Sequence, residues 1–407
     1  MKRVVVTGLG IISSNGIGKR PFFEAVFNGV SGIRPVSLFD TQGVKSKTAG
    51  EITDFKPEEF LGPKGLRTLD RSTKLLMCAA KLALDDAGIE APVQNGAGIG
   101  MSIGNTLGSL HSVCDFDRES IREGPRYVNP ALFPNTVINS PASQVSIKFG
   151  IRDFNVTLSG GFCASIHAIK YAVDFLRLGR ATIVLAGGVE ELCLETFLAF
   201  YKTGLLSGSR NEGPEISCPF DRRRNGFIFG EGAGVLVLEE LESAQDRKSK
   251  IYGEVTGTGV GFGKRFGLRK AMTDALRNAD KSSADIDYIS CAANSTEGLD
   301  ARESGSIRDV FGRDARKIRA TSIKSMLGEC FSAQGALQAV EALGAIERQR
   351  IPPTINYREK DPRCDLSYVT NESEECVVSN VLINTSGPAG ESASLVLSKC
   401  AANESKR

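Results

Sequence analysis

The chain has 407 residues, 41% hydrophobic and 24% charged, which is globular material long enough for two domain-sized cores or one large duplicated one. Lys and Arg total 50 against 48 Asp and Glu, for a net charge of +2, and no basic run exceeds Arg222-Arg223-Arg224, so no nucleic-acid partner is expected. Apolar stretches such as Ile183 to Gly188 fall far short of the roughly 20 residues a membrane span needs. Residues 1 to 20 show no secretory signal pattern, so no membrane association and a cytoplasmic location are expected.

In chain order, Lys2 to Gly10 reads as a strand entering a tight glycine turn. Lys74 to Gly88 reads as a core helix, with Leu75, Leu76, Ala79, Ala80, Leu82, Ala83 and Ala87 on one face. Further strands are predicted at Gly98 to Ile103, Asn155 to Leu158, Thr182 to Ala186, Val235 to Leu238, Ile251 to Val255, Tyr288 to Cys291 and Cys376 to Ile383, with helices between most of them. This alternation predicts α/β layers. The run Val6-Thr7-Gly8-Leu9-Gly10 returns as Val255-Thr256-Gly257-Thr258-Gly259, each opening a strand-helix series, so an internal duplication is expected. A join in the polar stretch Glu242 to Lys250 divides the chain into halves 1–245 and 246–407.

Gly8-Leu9-Gly10 is a poor dinucleotide loop, because Ser13 stands at the third glycine position and no acidic residue closes a strand near residue 30. Gly257, Gly259, Gly261 and Gly263 read as turn glycines suited to positive φ. The ten cysteines, at 78, 114, 163, 193, 218, 291, 330, 364, 376 and 400, form no Cys-x-x-Cys pair and fit reduced, buried thiols. With only His111 and His167 in the chain, no zinc site of the usual Cys/His kind is expected.

The stretch Pro219-Phe220-Asp221-Arg222-Arg223-Arg224-Asn225-Gly226-Phe227-Ile228-Phe229-Gly230-Glu231-Gly232-Ala233-Gly234 resembles the β-ketoacyl synthases of fatty-acid and polyketide synthesis. The resemblance extends from Val4 to Gly10, through Ala186-Gly187-Gly188 and Lys324-Ser325-Met326, to the last strand pair. It implies the thiolase-like fold, with two similar halves in a five-layered α-β-α-β-α core, assembled as a dimer. It also implies carrier-protein-dependent chemistry without a cofactor.

That chemistry uses a cysteine at a helix N-terminus, two histidines and backbone N–H groups that hold an oxyanion. Cys163, before a helical segment, is the tempting nucleophile. The register points one residue earlier: the family cysteine falls twelve residues after Gly150, and the family A-G-G, here beginning at Ala186, follows that cysteine by 24. Both spacings mark Phe162, with His167 five residues on. One residue turns a helical side chain by about 100°, so Cys163 points elsewhere unless the segment shifts locally.

The remaining catalytic positions also depart. The family V-N-A-H-G-T run matches Ile289-Ser290-Cys291-Ala292, which places Ala292 at the first histidine, and K-S-M-x-G-H matches Lys324 to Glu329, which places Glu329 at the second. A carboxylate there repels a malonyl carboxylate. Lys324 is retained, and its expected role is an ion pair with Glu329 or Glu303; Asp300 and Glu303 read as structural. The loop N-S-F-G-F-G-G-T-N matches Asn384 to Ser392 and puts Pro388, which has no N–H to donate, where an oxyanion donor is needed. The segment between Gly263 and Arg269 is shorter than in the family.

The resemblance therefore implies a chain inactive alone: the chain-length-factor-type subunit of a heterodimer with a catalytic ketosynthase, served by an acyl carrier protein. Asn129 to Ser140 matches the stretch that crosses the dimer interface, so Phe133, Thr136 and Val137 are candidates for the partner's tunnel floor. Phe162, where aromatic-polyketide length factors carry glutamine, tilts the product class toward polyenes or unusual fatty acids. Two alternatives stay open: an acyltransferase or unusual condensing enzyme using Cys163, and a homodimeric acyl-carrier binding protein.

Overall fold

The computed structural model describes residues 2–93, 98–210 and 213–401. The first half supplies β1 (Val4–Ser13), α1 (Arg71–Asp86), β2 (Ile99–Gly104), α2 (Leu110–Glu123), β3 (Asn155–Leu158), α3 (Ala164–Arg177), β4 (Ile183–Glu190), α4 (Leu194–Thr203) and β5 (Gly232–Glu240). The second supplies β6 (Gly253–Phe262), α5 (Gly267–Asn278), β7 (Tyr288–Ser290), α6 (Glu297–Phe311), β8 (Arg319–Thr321), α7 (Gln334–Arg348), β9 (Ser367–Tyr368), β10 (Asn380–Ser386) and β11 (Glu391–Ser398). Each predicted strand is present with ends shifted by up to seven residues, the largest at the C-terminal end of β6, and the predicted helix is α1.

The strands follow one hydrogen-bonded path, β9-β8-β7-β10-β11-β6-β1-β5-β4-β2-β3. Along this path the halves meet where Val5 and Val6 of β1 pair with Glu254 and Gly253 of β6. Side-chain alternation then sorts the core into three slabs. Leu236 and Leu238 of β5 and Leu395 and Leu397 of β11 face inward with Ile166 and Ile169 of α3 and Leu337 and Val340 of α7. Val235 and Val237 face outward onto Leu75, Leu76 and Ala79 of α1. Val396 and Leu382 face the opposite outer side, onto Met272 and Ala275 of α5 and Ile307 of α6. The order is α-β-α-β-α.

The two halves repeat each other in detail. β1 pairs with β5 and carries a bulge between Val6 and Gly8; β6 pairs with β11 and carries one between Val255 and Gly257. Here the structure corrects the reading of the glycines. Gly8, Gly10, Gly257, Gly259 and Gly261 lie inside strands, and only Gly263 has positive φ, at 114°. They are glycine because a helix backbone presses on the strand: a Cβ on Gly10 would sit 1.8 Å from the Ala79 carbonyl oxygen, and one on Gly259 2.0 Å from that of Ala271. The polar join is a short helix, Leu241–Asp246, anchored by buried Leu241 and Ala244.

Candidate active site

The segment before α3 turns sharply. Gly161 adopts φ 59°, a 3₁₀ turn spans Gly161–Cys163, and α3 follows at Ala164. This turn sends adjacent side chains into different cores. Phe162 joins an aromatic cluster with Phe197, Phe227, Phe229 and Phe331, while Cys163 enters the central slab.

Phe162 is 7% exposed, with its ring centroid 4.8 Å from Phe331 and 6.5 Å from Phe227. Phe200 also stacks on Phe331, at 4.7 Å. The residue that the sequence register assigns to the nucleophile position is thus a ring continuous with an aromatic plug drawn from four distant segments. Cys163 is fully buried, and its thiol donates to the Thr385 carbonyl at 3.4 Å. Burial pushes that thiol up to about 12, so it stays protonated at physiological pH.

Ala292 and Glu329, which the sequence matches to the two family histidines, are a buried methyl and a fully buried carboxylate. Lys324, in a single helical turn Lys324–Leu327, donates to Glu329 Oε2 at 2.7 Å and to the Ala292 carbonyl at 2.7 Å. Of the two expected partners of Lys324, the geometry selects Glu329. Glu329 also accepts from Asn294 Nδ2 at 3.0 Å and from the Phe331 N–H at 3.1 Å, which ties the ion pair to the aromatic plug. Both Glu329 oxygens are thus occupied as acceptors within the protein.

Glu303 accepts the N–H groups of Ala292 and Ala293 at 2.8 and 2.7 Å, and burial raises its carboxyl to about 7. Asp300 accepts from the N–H groups of Phe220 and Asn294, and burial raises it to about 6 despite Arg224 at 3.7 Å. Both carboxylates hold backbone in place beneath the site.

Pro388 is exposed at the tip of a tight turn closed by Gly387 N–H to the Glu391 carbonyl at 3.0 Å and Gly390 N–H to the Gly387 carbonyl at 3.2 Å. Those donors are consumed within the turn. Glu391, at the threonine position of the family loop, went unweighed in the sequence although the gap-free match exposes it. A Cβ on Gly161 would lie 2.9 Å from its Oε1 and one on Gly387 only 1.8 Å, while the Gly387 Cβ would also meet Phe162 Cδ2 at 2.9 Å. Glu391 and Gly387 therefore close the turn over the phenyl ring. His167 lies against Gly160, where burial holds its imidazole below the ordinary value.

Phe133, Thr136 and Val137 lie apart from this centre, in or just after a 3₁₀ segment Pro130–Thr136. Phe133 is 57% and Val137 41% exposed, and Phe116 of α2 packs edge-on against Phe133 at 6.0 Å. One polar group was not anticipated: His111 lies 3.2 Å from both Asp115 and Glu195, and Arg118 bonds the same Asp115. Asp115 is exposed and Glu195 half-buried, and both are already engaged by His111 and Arg118.

The family model for the β-ketoacyl synthase N-terminal domain matches residues 1–244, and that for the β-ketoacyl synthase C-terminal domain matches residues 253–358. The chain is 32% identical to 3-oxoacyl-[acyl-carrier-protein] synthase 2 of Coxiella burnetii, over 98% of this chain and 99% of that one. It is 34% identical to the tetracenomycin polyketide synthase ketoacyl synthase alpha subunit of Streptomyces glaucescens, over 98% and 97%. Among solved structures, the ishigamide ketosynthase/chain length factor superposes with a TM-score of 0.92 at 34% identity, covering 98% of this chain and all of that one. A type II polyketide synthase acyl-carrier protein in complex with its ketosynthase bound to the hexaketide, AntDE:AntF, gives 0.88 at 29%, with the same coverage. Family models over both halves, full-length relatives above 30% identity and a five-layered thiolase-like fold agree, and the chain belongs to the β-ketoacyl synthase family.

Proposed function

We propose that this chain is the non-catalytic, chain-length-factor-type subunit of a heterodimeric β-ketoacyl synthase, paired with a catalytic ketosynthase that elongates carrier-bound acyl chains. The carrying observation is the Phe162 ring packed into the Phe227–Phe331 plug at the nucleophile position. It neither forms a thioester nor leaves the thioester's space free. The Lys324–Glu329 pair and Pro388 support the same reading, since a single missing oxyanion donor typically costs about 10²–10³ in rate. The buried, protonated Cys163 weighs against the acyltransferase alternative.

A partner is supported by the surface. Ile121, Tyr127, Phe133, Val137 and Ile147 are exposed large hydrophobics on α2 and the segments that follow it. Strand β3 ends the sheet path with an open edge. Apolar surface and an unpaired strand edge both favour association. Phe133, Thr136 and Val137 then contact the partner and set how long a chain its tunnel accepts.

Co-expression with a catalytic type II ketosynthase tests the reading. A one-to-one complex whose elongation activity needs only the partner's cysteine is expected. Elongation by this chain purified alone would refute it.

A further inference from the structure

The start of α1 and the residue after β4 leave two carboxylates half used. Asp70 caps α1, its Oδ1 accepting the Thr73 N–H at 2.6 Å, and Glu191 Oε2 accepts the Ser72 N–H at 3.0 Å. Asp70 is 8% exposed and Glu191 3%, and the other oxygen of each, Asp70 Oδ2 and Glu191 Oε1, is buried without a hydrogen-bond partner among the described residues. Both side chains line one cavity of about 300 Å³. Arg71 lines it too, but its guanidinium is engaged by Glu231, at 2.5 and 2.7 Å, and by the Ile52 carbonyl at 2.9 Å. A buried carboxylate oxygen without a donor is costly, so the pair presents an unmet demand for a cation that carries N–H groups.

The rest of the cavity selects the kind of cation. Among the described residues, no third His, Cys, Asp or Glu atom lies close enough to share one ion with the two free oxygens, whereas a calcium or magnesium ion takes about six or more oxygen ligands. Phe39, Leu192 and Leu194 give the cavity apolar walls instead. Apolar walls beside two carboxylates suit an alkyl stem that ends in an ammonium group. We propose that Asp70 and Glu191 form the floor of a binding site for an alkylammonium group whose methylenes lie along Phe39, Leu192 and Leu194. The group is either a free alkylamine or the lysine side chain of a partner subunit. The site belongs to this chain in both cases and does not depend on the heterodimer reading.

The test is calorimetric titration of the purified full chain with n-butylammonium chloride at constant ionic strength, with 1-butanol as the neutral counterpart of the same stem. Saturable one-to-one amine binding is expected, with 1-butanol at least about tenfold weaker. Glu191→Gln and Asp70→Asn should each weaken amine binding by about tenfold or more. Both keep an oxygen for the Ser72 or Thr73 N–H, and unfolding midpoints check that they fold, while the butanol comparison needs no variant. Asp70, Arg71, Glu190 and Glu231 face Glu191, with His111 on the same cavity, and burial followed by Asp70 raises the Glu191 carboxyl to about 8. Amine affinity should therefore fall by up to about tenfold per unit as pH drops below about 8, a dependence that Glu191→Gln removes. Absence of saturable amine binding, equal binding of 1-butanol, or variants within about twofold of the parent overturns the proposal, as does binding of calcium or magnesium chloride in place of the amine. Repeating the titration on the assembled heterodimer identifies the source: amine binding lost on assembly assigns the ammonium group to a partner lysine, and amine binding retained assigns it to a free alkylamine, each result supporting the site.

Discussion

Breaking the Lys324–Glu329 pair should cost more stability than its position at the family's catalytic centre suggests. Lys324 is 2% exposed and Glu329 fully buried, with Nζ 2.7 Å from Oε2. At that separation and an effective dielectric constant of about 20, the attraction is about 6 kcal/mol before desolvation is subtracted. Lys324→Met leaves Glu329 with only Asn294 and the Phe331 N–H, an uncompensated buried carboxylate, and should destabilise by about 3–5 kcal/mol. Glu329→Leu should cost a similar amount by stranding Lys324 on the Ala292 carbonyl. The double variant should recover most of the loss, because two apolar side chains of like volume often replace a buried pair at little cost. Urea unfolding of the four proteins gives the coupling energy. Single variants within about 1 kcal/mol of the parent and additive in the double would refute a structural ion pair here.

Three further outcomes follow from the same geometry. Iodoacetamide at pH 8 should label the partly exposed Cys114 and Cys376 long before Cys163, which should react only after denaturation; rapid native labelling of Cys163 would contradict its burial. Burial raises Glu190 and Glu191 to about 8, Glu303 and Glu341 to about 7 and Asp300 to about 6, so the folded state binds protons that the unfolded chain has released. Stability should therefore rise as pH falls from about 8 to about 5, then drop below about 4 as the depressed Asp221 and Asp361 are protonated, and Glu341→Gln should flatten the upper slope. Phe133→Ala and Val137→Phe in the reconstituted heterodimer should move the product-length distribution in opposite directions, as read by mass spectrometry of released products; unchanged products from both would remove these residues from the tunnel floor.

Much of this was legible in the sequence because it rests on local pattern. Alternating strands such as Val235 to Leu238 and the apolar face of α1 show their period directly, and the repeated Val-Thr-Gly run foreshadows the paired bulges of β1 and β6. The glycines were misread as turns because their cause is long-range: the backbone of α1 lies on Gly8 and Gly10, and no nearby residue announces it. Counting residues singles out Phe162 but does not show what surrounds it. Phe197, Phe227, Phe229 and Phe331 come from segments up to 134 residues apart, so the plug exists only once the chain is folded. The choice of Glu329 over Glu303 by Lys324 likewise depends on Glu303 being occupied by backbone N–H groups, which spacing alone does not reveal.

The central claim is that this chain accepts no acyl group. Incubating it with an acyl-loaded carrier protein and weighing the intact chain tests this directly. No mass increase is predicted, because the proposal places the Phe162 ring at the nucleophile position and Cys163 is buried and protonated. A stoichiometric acyl adduct mapped by peptide analysis to Cys163 would contradict the account.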